Sequence, residues 1–159
     1  MQLLEQIQSL DFPGQLPATL LQVDQHFDAP KVAHIPTAVK DALESSGILA
    51  RMKPGATVAV GAGSRGIANL PIIVKAAIDT LRSAGMHPYV VPVMGSHGGA
   101  TTEGQIDMLA QLGVTQASVG AEIRATMAVR QIGQIADGPA LYQGEDSIPA
   151  DHTLLVSRI

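Results

Sequence analysis

Two glycine-rich loops, each set between a strand-like run and a helix-like run, constrain this chain more than any other feature. The first, Gly61-Ala62-Gly63-Ser64-Arg65-Gly66, follows Thr57-Val58-Ala59-Val60 and precedes Ile72-Ile73-Val74-Lys75-Ala76-Ala77. The second, Gly95-Ser96-His97-Gly98-Gly99-Ala100-Thr101, follows Tyr89-Val90-Val91-Pro92-Val93-Met94 and precedes Ile106-Asp107-Met108-Leu109. Ser64 and Ser96 stand about one strand–helix–strand unit apart, which takes roughly 30 residues or more. The two strands of such a unit run parallel, so both loops emerge at one carboxyl edge, where open α/β sheets bind ligands. The expected fold class is therefore α/β, with a Rossmann-like parallel sheet core.

The rest of the chain fits that frame as a single domain over residues 1–159. Residues 1–18 read as a short helix and a proline-punctuated loop, and Leu20-Leu21-Gln22-Val23 as a first strand. Residues 29–36 form an extended connection between prolines. Thr37 is placed to cap a helix that reaches about Ser46, with Val39, Ala42 and Leu43 as its apolar face and Gly47 at its end. Lys53-Pro54-Gly55 turns the chain into the strand over residues 57–60. Pro71 suits a first helical turn, where its missing N–H costs nothing. Ile72, Ile73, Ala76, Ala77 and Leu81 follow at helical period, and Gly85 closes that helix. Residues 89–94 are almost all apolar, as in a parallel strand covered on both faces. Thr102 and Gln105 match a capping box, and Gly113 ends the helix they start.

Beyond residue 120 the pattern changes. Residues 124–132 and 140–143 read as two strands joined by the turn Ala136-Asp137-Gly138-Pro139, a β-hairpin towards the carboxyl end. Thr153-Leu154-Leu155-Val156 reads as a last, buried strand. A chain that stops on such a strand with no helix after it is expected to be the amino-terminal part of a longer protein.

Composition narrows the function. The formal charge is −4, with no basic run and only 3% aromatic residues, so nucleic acid is not an expected partner. No apolar run approaches the length of a membrane span, and residues 1–6 lack a signal peptide's basic start, so no membrane partner is expected either. Cys is absent, which excludes disulfides and thiolate chemistry and is compatible with the cytoplasm. No two histidines have metal-ligand spacing, so no metal site is expected.

The loops themselves carry the chemistry. Backbone N–H groups converging at a helix start bind anions, and glycine lets the backbone approach the ligand. Arg65 adds a planar fork of donors suited to carboxylate or phosphate. Ser64 and Ser96 add hydroxyls. An imidazole, here His97, both gives and takes a proton near neutrality. The alternatives for these residues are structural: a surface ion pair for Arg65, a helix cap for His97, tight turns for the glycines. Glu103 is the lone carboxylate near either loop, in a helical first turn that favours it. No Lys-Ser/Thr pair follows the first loop, so it is not a Walker loop. It satisfies G-x-G-x-x-G, but the acid expected about 20 residues on falls near Arg82-Ser83, with only Asp79 close by. His26 and His34 are expected in solvent, and His87 and His152 at the edge opposite the loops.

Gly63-Ser64-Arg65-Gly66-Ile67-Ala68-Asn69, then Met94-Gly95-Ser96-His97-Gly98-Gly99-Ala100-Thr101 with Glu103-Gly104-Gln105, resemble the amino-terminal domain of the lactate racemase-like family, the nickel-pincer-nucleotide racemases and their uncharacterised relatives. The likeness runs from about residue 20 to the end. There Ser157-Arg158-Ile159 is similar to the start of an Asn-Arg-Ile-Lys-Pro-His-Thr segment in the uncharacterised branch. The resemblance implies an isomerase acting on a 2-hydroxyacid. His97 would be one of two catalytic histidines. Ser64 and Arg65 would fall on an Asp-x-Thr-Arg motif that binds substrate or cofactor phosphate. The motif's Asp is Ala62 here, so lactate itself is not implied. Gly66, Ser96, Gly98, Gly99 and Thr101 would line the same site. The second histidine, the lysine carrying the pincer nucleotide and the nickel-binding histidine would lie beyond Ile159. On this reading the chain holds no covalent cofactor and is inactive alone, and its expected ligand is a small anion. Two alternatives stand beside it: a non-catalytic anion- or phosphate-binding module, and a dinucleotide-dependent enzyme. An apolar face left for a missing partner would also permit a homodimer.

Overall fold

In the computed structural model, residue 19, residues 21–28 and residues 30–158 are described. The chain divides into two units, Met1–Lys31 and Val32–Ile159. The helix expected within residues 1–18 lies outside the described residues, as does Leu20. Residues 21–28 contain neither helix nor strand, so the strand expected over residues 20–23 does not form there. A run of four residues has little to hold it extended without a partner strand.

The unit Val32–Ile159 carries the α/β fold. It begins with α1 (Ile35–Ser45), a short 3₁₀ turn (Leu49–Arg51), β1 (Thr57–Ala62), α2 (Leu70–Ser83) and β2 (His87–Pro92). A second 3₁₀ turn (His97–Ala100), α3 (Thr102–Gln111) and the single-turn α4 (Gln116–Val119) follow. The unit closes with β3 (Val129–Gln134), β4 (Ala140–Gly144) and β5 (His152–Val156). The main sheet has the order β2-β1-β5, and both pairings are parallel. β3 and β4 form a separate antiparallel hairpin. The α/β class, the parallel core and the hairpin towards the carboxyl end are all present.

The core lies between one face of the sheet and the helices. Val58 and Val60 of β1 and Val90 of β2 pack with Val74, Ile78 and Leu81 of α2, Leu109 of α3, and Val114 and Val119. The second face is shallower, built from Ala59, Tyr89 and Val91 with Ala150 against them. Tyr89 donates its hydroxyl hydrogen to the Asp146 carbonyl (2.7 Å), and the Arg124 guanidinium lies 4.0 Å over its ring. Burial raises the Tyr89 pKa, opposed by Arg124, and burial also raises that of the Asp146 carboxyl. At the amino edge, Asp151 accepts hydrogen bonds from the Thr57 N–H and hydroxyl, both at 2.8 Å. Those two donors hold its carboxyl below the usual aspartate range.

Several boundaries differ from expectation for local reasons. α1 starts two residues before Thr37, and its cap is His34, whose ring accepts the Thr37 N–H (3.3 Å). Pro36, in the first turn, draws the start upstream. α3 is capped by Thr101 rather than Thr102, and Gln105 does not complete a box. Its side chain is buried and donates to the Gly95 carbonyl (2.8 Å). β2 ends at Pro92, so Val93 and Met94 belong to the second loop. Residues 124–128 are not strand; upstream of β3 there is only an isolated bridge between Val90 and Ile123. β5 is an edge strand and half-exposed, not buried, with Leu155 63% exposed. Among the described residues no helix is long and apolar enough to cross a membrane.

Candidate functional site

The carboxyl ends of β1, β2 and β5 meet at one edge. Two backbone contacts tie these ends together and a third folds the second loop on itself. Val93 N–H donates to the Ala62 carbonyl (3.0 Å), Gly63 N–H to the Val156 carbonyl (2.9 Å), and His97 N–H to the Met94 carbonyl (3.2 Å). A cavity of about 580 Å³ opens there. Its polar lining is Ser64, Arg65, His97, Ser157 and Arg158, and Ile67, Val93 and Met94 form an apolar wall.

The two loops meet through side chains. Ser64 Oγ and His97 Nδ1 are 2.7 Å apart, and Arg65 Nε donates to His97 Nε2 at 3.4 Å. A guanidinium is only a donor, so Nε2 must present its lone pair to Arg65. The neutral ring therefore carries its proton on Nδ1 and donates it to Ser64 Oγ. This assignment follows from the hydrogen-bond network, as tautomers generally must. Ser64 is thus not activated as a nucleophile, and its own hydroxyl hydrogen is left for a ligand.

The second loop is shaped for His97 by glycine. Gly98 has φ +67°, and a Cβ there would overlap the carbonyl carbon and oxygen of Gly104 in the first turn of α3. No other residue type allows the loop to lie against that turn. Thr101 accepts the Gly104 N–H (3.1 Å) and donates to the Gly98 carbonyl (3.1 Å). Gly98 and Thr101 therefore serve the loop's geometry and do not line the cavity. Ser96 and Gly99 are exposed outside it. Gly66, at φ +55°, has Arg158 Nη1 where a side chain would begin, 3.0 Å from the position of a Cβ.

Ser157 and Arg158 enter the site because β5 pairs parallel with β1 and ends at the same edge. No periodicity announces that pairing. A signal was nevertheless present, since a third strand running parallel to the first two must deliver its following residues to their edge. His26, in the other unit, is exposed; His34 lies outside this cavity, and His87 and His152 stand at the opposite edge, at the starts of β2 and β5. Two other hollows lack this chemistry. One, of about 400 Å³ between α1 and α2, holds Lys40 and Glu44 as a pair and Asp79 paired to Lys75. The other, of about 430 Å³ over the second sheet face, offers Asp146 as its single charge.

Among the described residues no three His, Asp or Glu side chains come together as a metal site. The cavity lining has no lysine. One imidazole, two guanidinium groups and two hydroxyls therefore do not make a nickel or pincer-nucleotide site from this chain's own residues. Comparison with protein-family models, with curated proteins and with solved structures yields no match to the chain.

Proposed function

We propose that the cavity binds a small anion through Arg65 and Ser64, and that His97 moves a proton on the bound molecule. The molecule would be a 2-hydroxyacid, and the chain would supply one half of a cytoplasmic racemase- or epimerase-like isomerase site. The observation that carries this reading is the joint contact of Ser64 and Arg65 with the two nitrogens of His97. An anionic group competes with Nε2 for the Arg65 guanidinium and prefers it, because charge-assisted hydrogen bonds to guanidinium are stronger than neutral ones. Drawing Arg65 onto the anion uncovers the Nε2 lone pair beside the ligand. That nitrogen then accepts the proton of the neighbouring hydroxyl: the O–H bond breaks, the N–H bond forms, and Ser64 still accepts from Nδ1. Ser64 meanwhile donates its own hydrogen to the anion.

Inverting a carbon centre also requires a base on the opposite face and an acceptor for the α-hydrogen. The lining supplies neither, so this chain's contribution ends at binding and proton transfer. The test is an amide NMR titration with lactate and with inorganic phosphate. Arg65→Ala is expected to abolish the shifts of residues 61–67 and 95–102. His97→Gln is expected to retain binding while removing any proton transfer. Shifts spread over the whole surface, or undiminished in Arg65→Ala, would overturn the reading.

A further inference from the structure

We propose that Arg158 is a second anion-binding group of this cavity and that the ligand class is a dianion. The inference rests on the anion-binding reading above and goes past it in charge and in residues. Arg158 follows β5, whose last residue accepts the Gly63 N–H, and its guanidinium lies over Gly66. Strands in a sheet lie about 4.8 Å apart. The loops of β2, β1 and β5 therefore cross the edge in the order His97, then Ser64 and Arg65, then Arg158.

Among the described residues, Arg65 and Arg158 form no ion pair, as is also true of Lys31, Arg51, Lys53 and Arg82, whereas Lys40, Lys75, Arg124 and Arg130 do. Among the described residues no carboxylate lines the cavity. A chain of formal charge −4 thus brings two guanidinium groups to one cavity and, among the described residues, leaves both without a counter-charge. One carboxylate satisfies one planar fork; two forks call for two negative charges. The backbone makes room for the second. A side chain at position 66 would press on the Arg158 guanidinium, and glycine leaves that space free.

The experiment compares sulfate with methanesulfonate, which have the same tetrahedral shape and differ by one charge, in NMR titrations of the whole chain at low salt. The unmodified chain is expected to bind sulfate about fivefold more tightly, the upper range for solvent-exposed ion pairs, with the gap closing as salt is added. Arg158→Ala is expected to erase that preference and leave methanesulfonate binding within about twofold; Arg158→Lys is expected to keep part of it. Equal binding of the two anions by the unmodified chain, or a preference that survives Arg158→Ala, would overturn the dianion assignment alone. If neither anion shifts the loops, or both bind undiminished to Arg65→Ala, the anion site fails and this proposal fails with it. A parallel comparison of malonate with acetate separates the two sources of a double charge. A larger preference in that pair indicates a dicarboxylate, and a larger preference for sulfate indicates a phosphate-like head.

Discussion

Replacing Gly98 by alanine should damage the fold and the site together. Two costs add. A non-glycine residue at φ +67° pays about 1–2 kcal/mol for the left-handed conformation. The new methyl would also overlap the carbonyl of Gly104 and stand 2.6 Å from Gln105 N. Both obstacles are backbone, in a helical turn that Thr101 caps, so neither can rotate away. Overpacking of this kind costs typically 1–3 kcal/mol, for a total of about 2–5 kcal/mol. Gly99 provides the control. It has the same φ, +68°, with nothing within 4 Å of its Cβ position. Gly99→Ala should therefore show the conformational cost alone. Urea unfolding of the two variants isolates the overlap as their difference, about 1–3 kcal/mol, provided the denaturant slopes match. Thermal melts should separate them by several degrees at this chain length. The loop can relieve the overlap only by lifting off α3, which carries His97 away from Ser64. Loss of the Ser64–His97 contact, seen in the imidazole resonances, should accompany the destabilisation. Equal stability of Gly98→Ala and Gly99→Ala would refute the close contact between the second loop and α3.

Three further outcomes follow from the same contacts. Gln105→Ala should cost about 1 kcal/mol in urea unfolding, because it removes the hydrogen bond from the buried Gln105 amide to the Gly95 carbonyl. Arg65→Ala should leave stability within about 1 kcal/mol, yet remove the donor that holds His97 in the Nδ1–H tautomer, and so change its signature in nitrogen-detected NMR. Finding the Nε2–H tautomer in the unmodified chain would refute the donor assignment. Asp151 has a depressed pKa in the folded state, so its stabilising contribution is present above the ordinary aspartate value and is lost as pH falls through the folded one. Asp151→Asn should therefore lower stability near neutrality, by a deficit that shrinks as pH falls below about 4, so that its decline with acid is flatter, as measured by melts across pH.

The parallel unit β1-α2-β2 was legible because glycine runs, Pro71 and the apolar periodicity all marked the same boundaries, and its meeting of Ser64, Arg65 and His97 followed from topology. Finer choices were not legible. Thr101 and Thr102 are adjacent hydroxyls with equal claims on a cap, and the decision fell to the approach of Gly98 to Gly104, a contact the sequence does not announce. His34 is exposed, as its solvated reading expected, and its ring also caps α1 once Pro36 fixes the first turn, a role the sequence did not announce. The first hairpin strand begins later than its run suggested, because residues 124–128 have only the Val90–Ile123 bridge beside them. Arg158 was the costliest omission, since a strand's partner is a long-range choice that periodicity cannot encode.

The order β2-β1-β5 also explains why the site depends on residues that never touch its cavity. β1 is central, so its loop holds Ser64 and Arg65 with a neighbour on each side. The flanking groups are less secure. Arg158 follows an edge strand that is half-exposed, and His97 sits on a 3₁₀ turn held by the Gly98–Gly104 approach, the Thr101 cap and the Gln105 tether. Those three supports all belong to the start of α3. The position of the imidazole is therefore set by the first turn of a helix whose side chains lie outside the cavity. Changes at Gly104 or Gln105 should alter proton chemistry at His97 while sparing the guanidinium groups, so anion affinity and imidazole behaviour are separable by substitution in this fold.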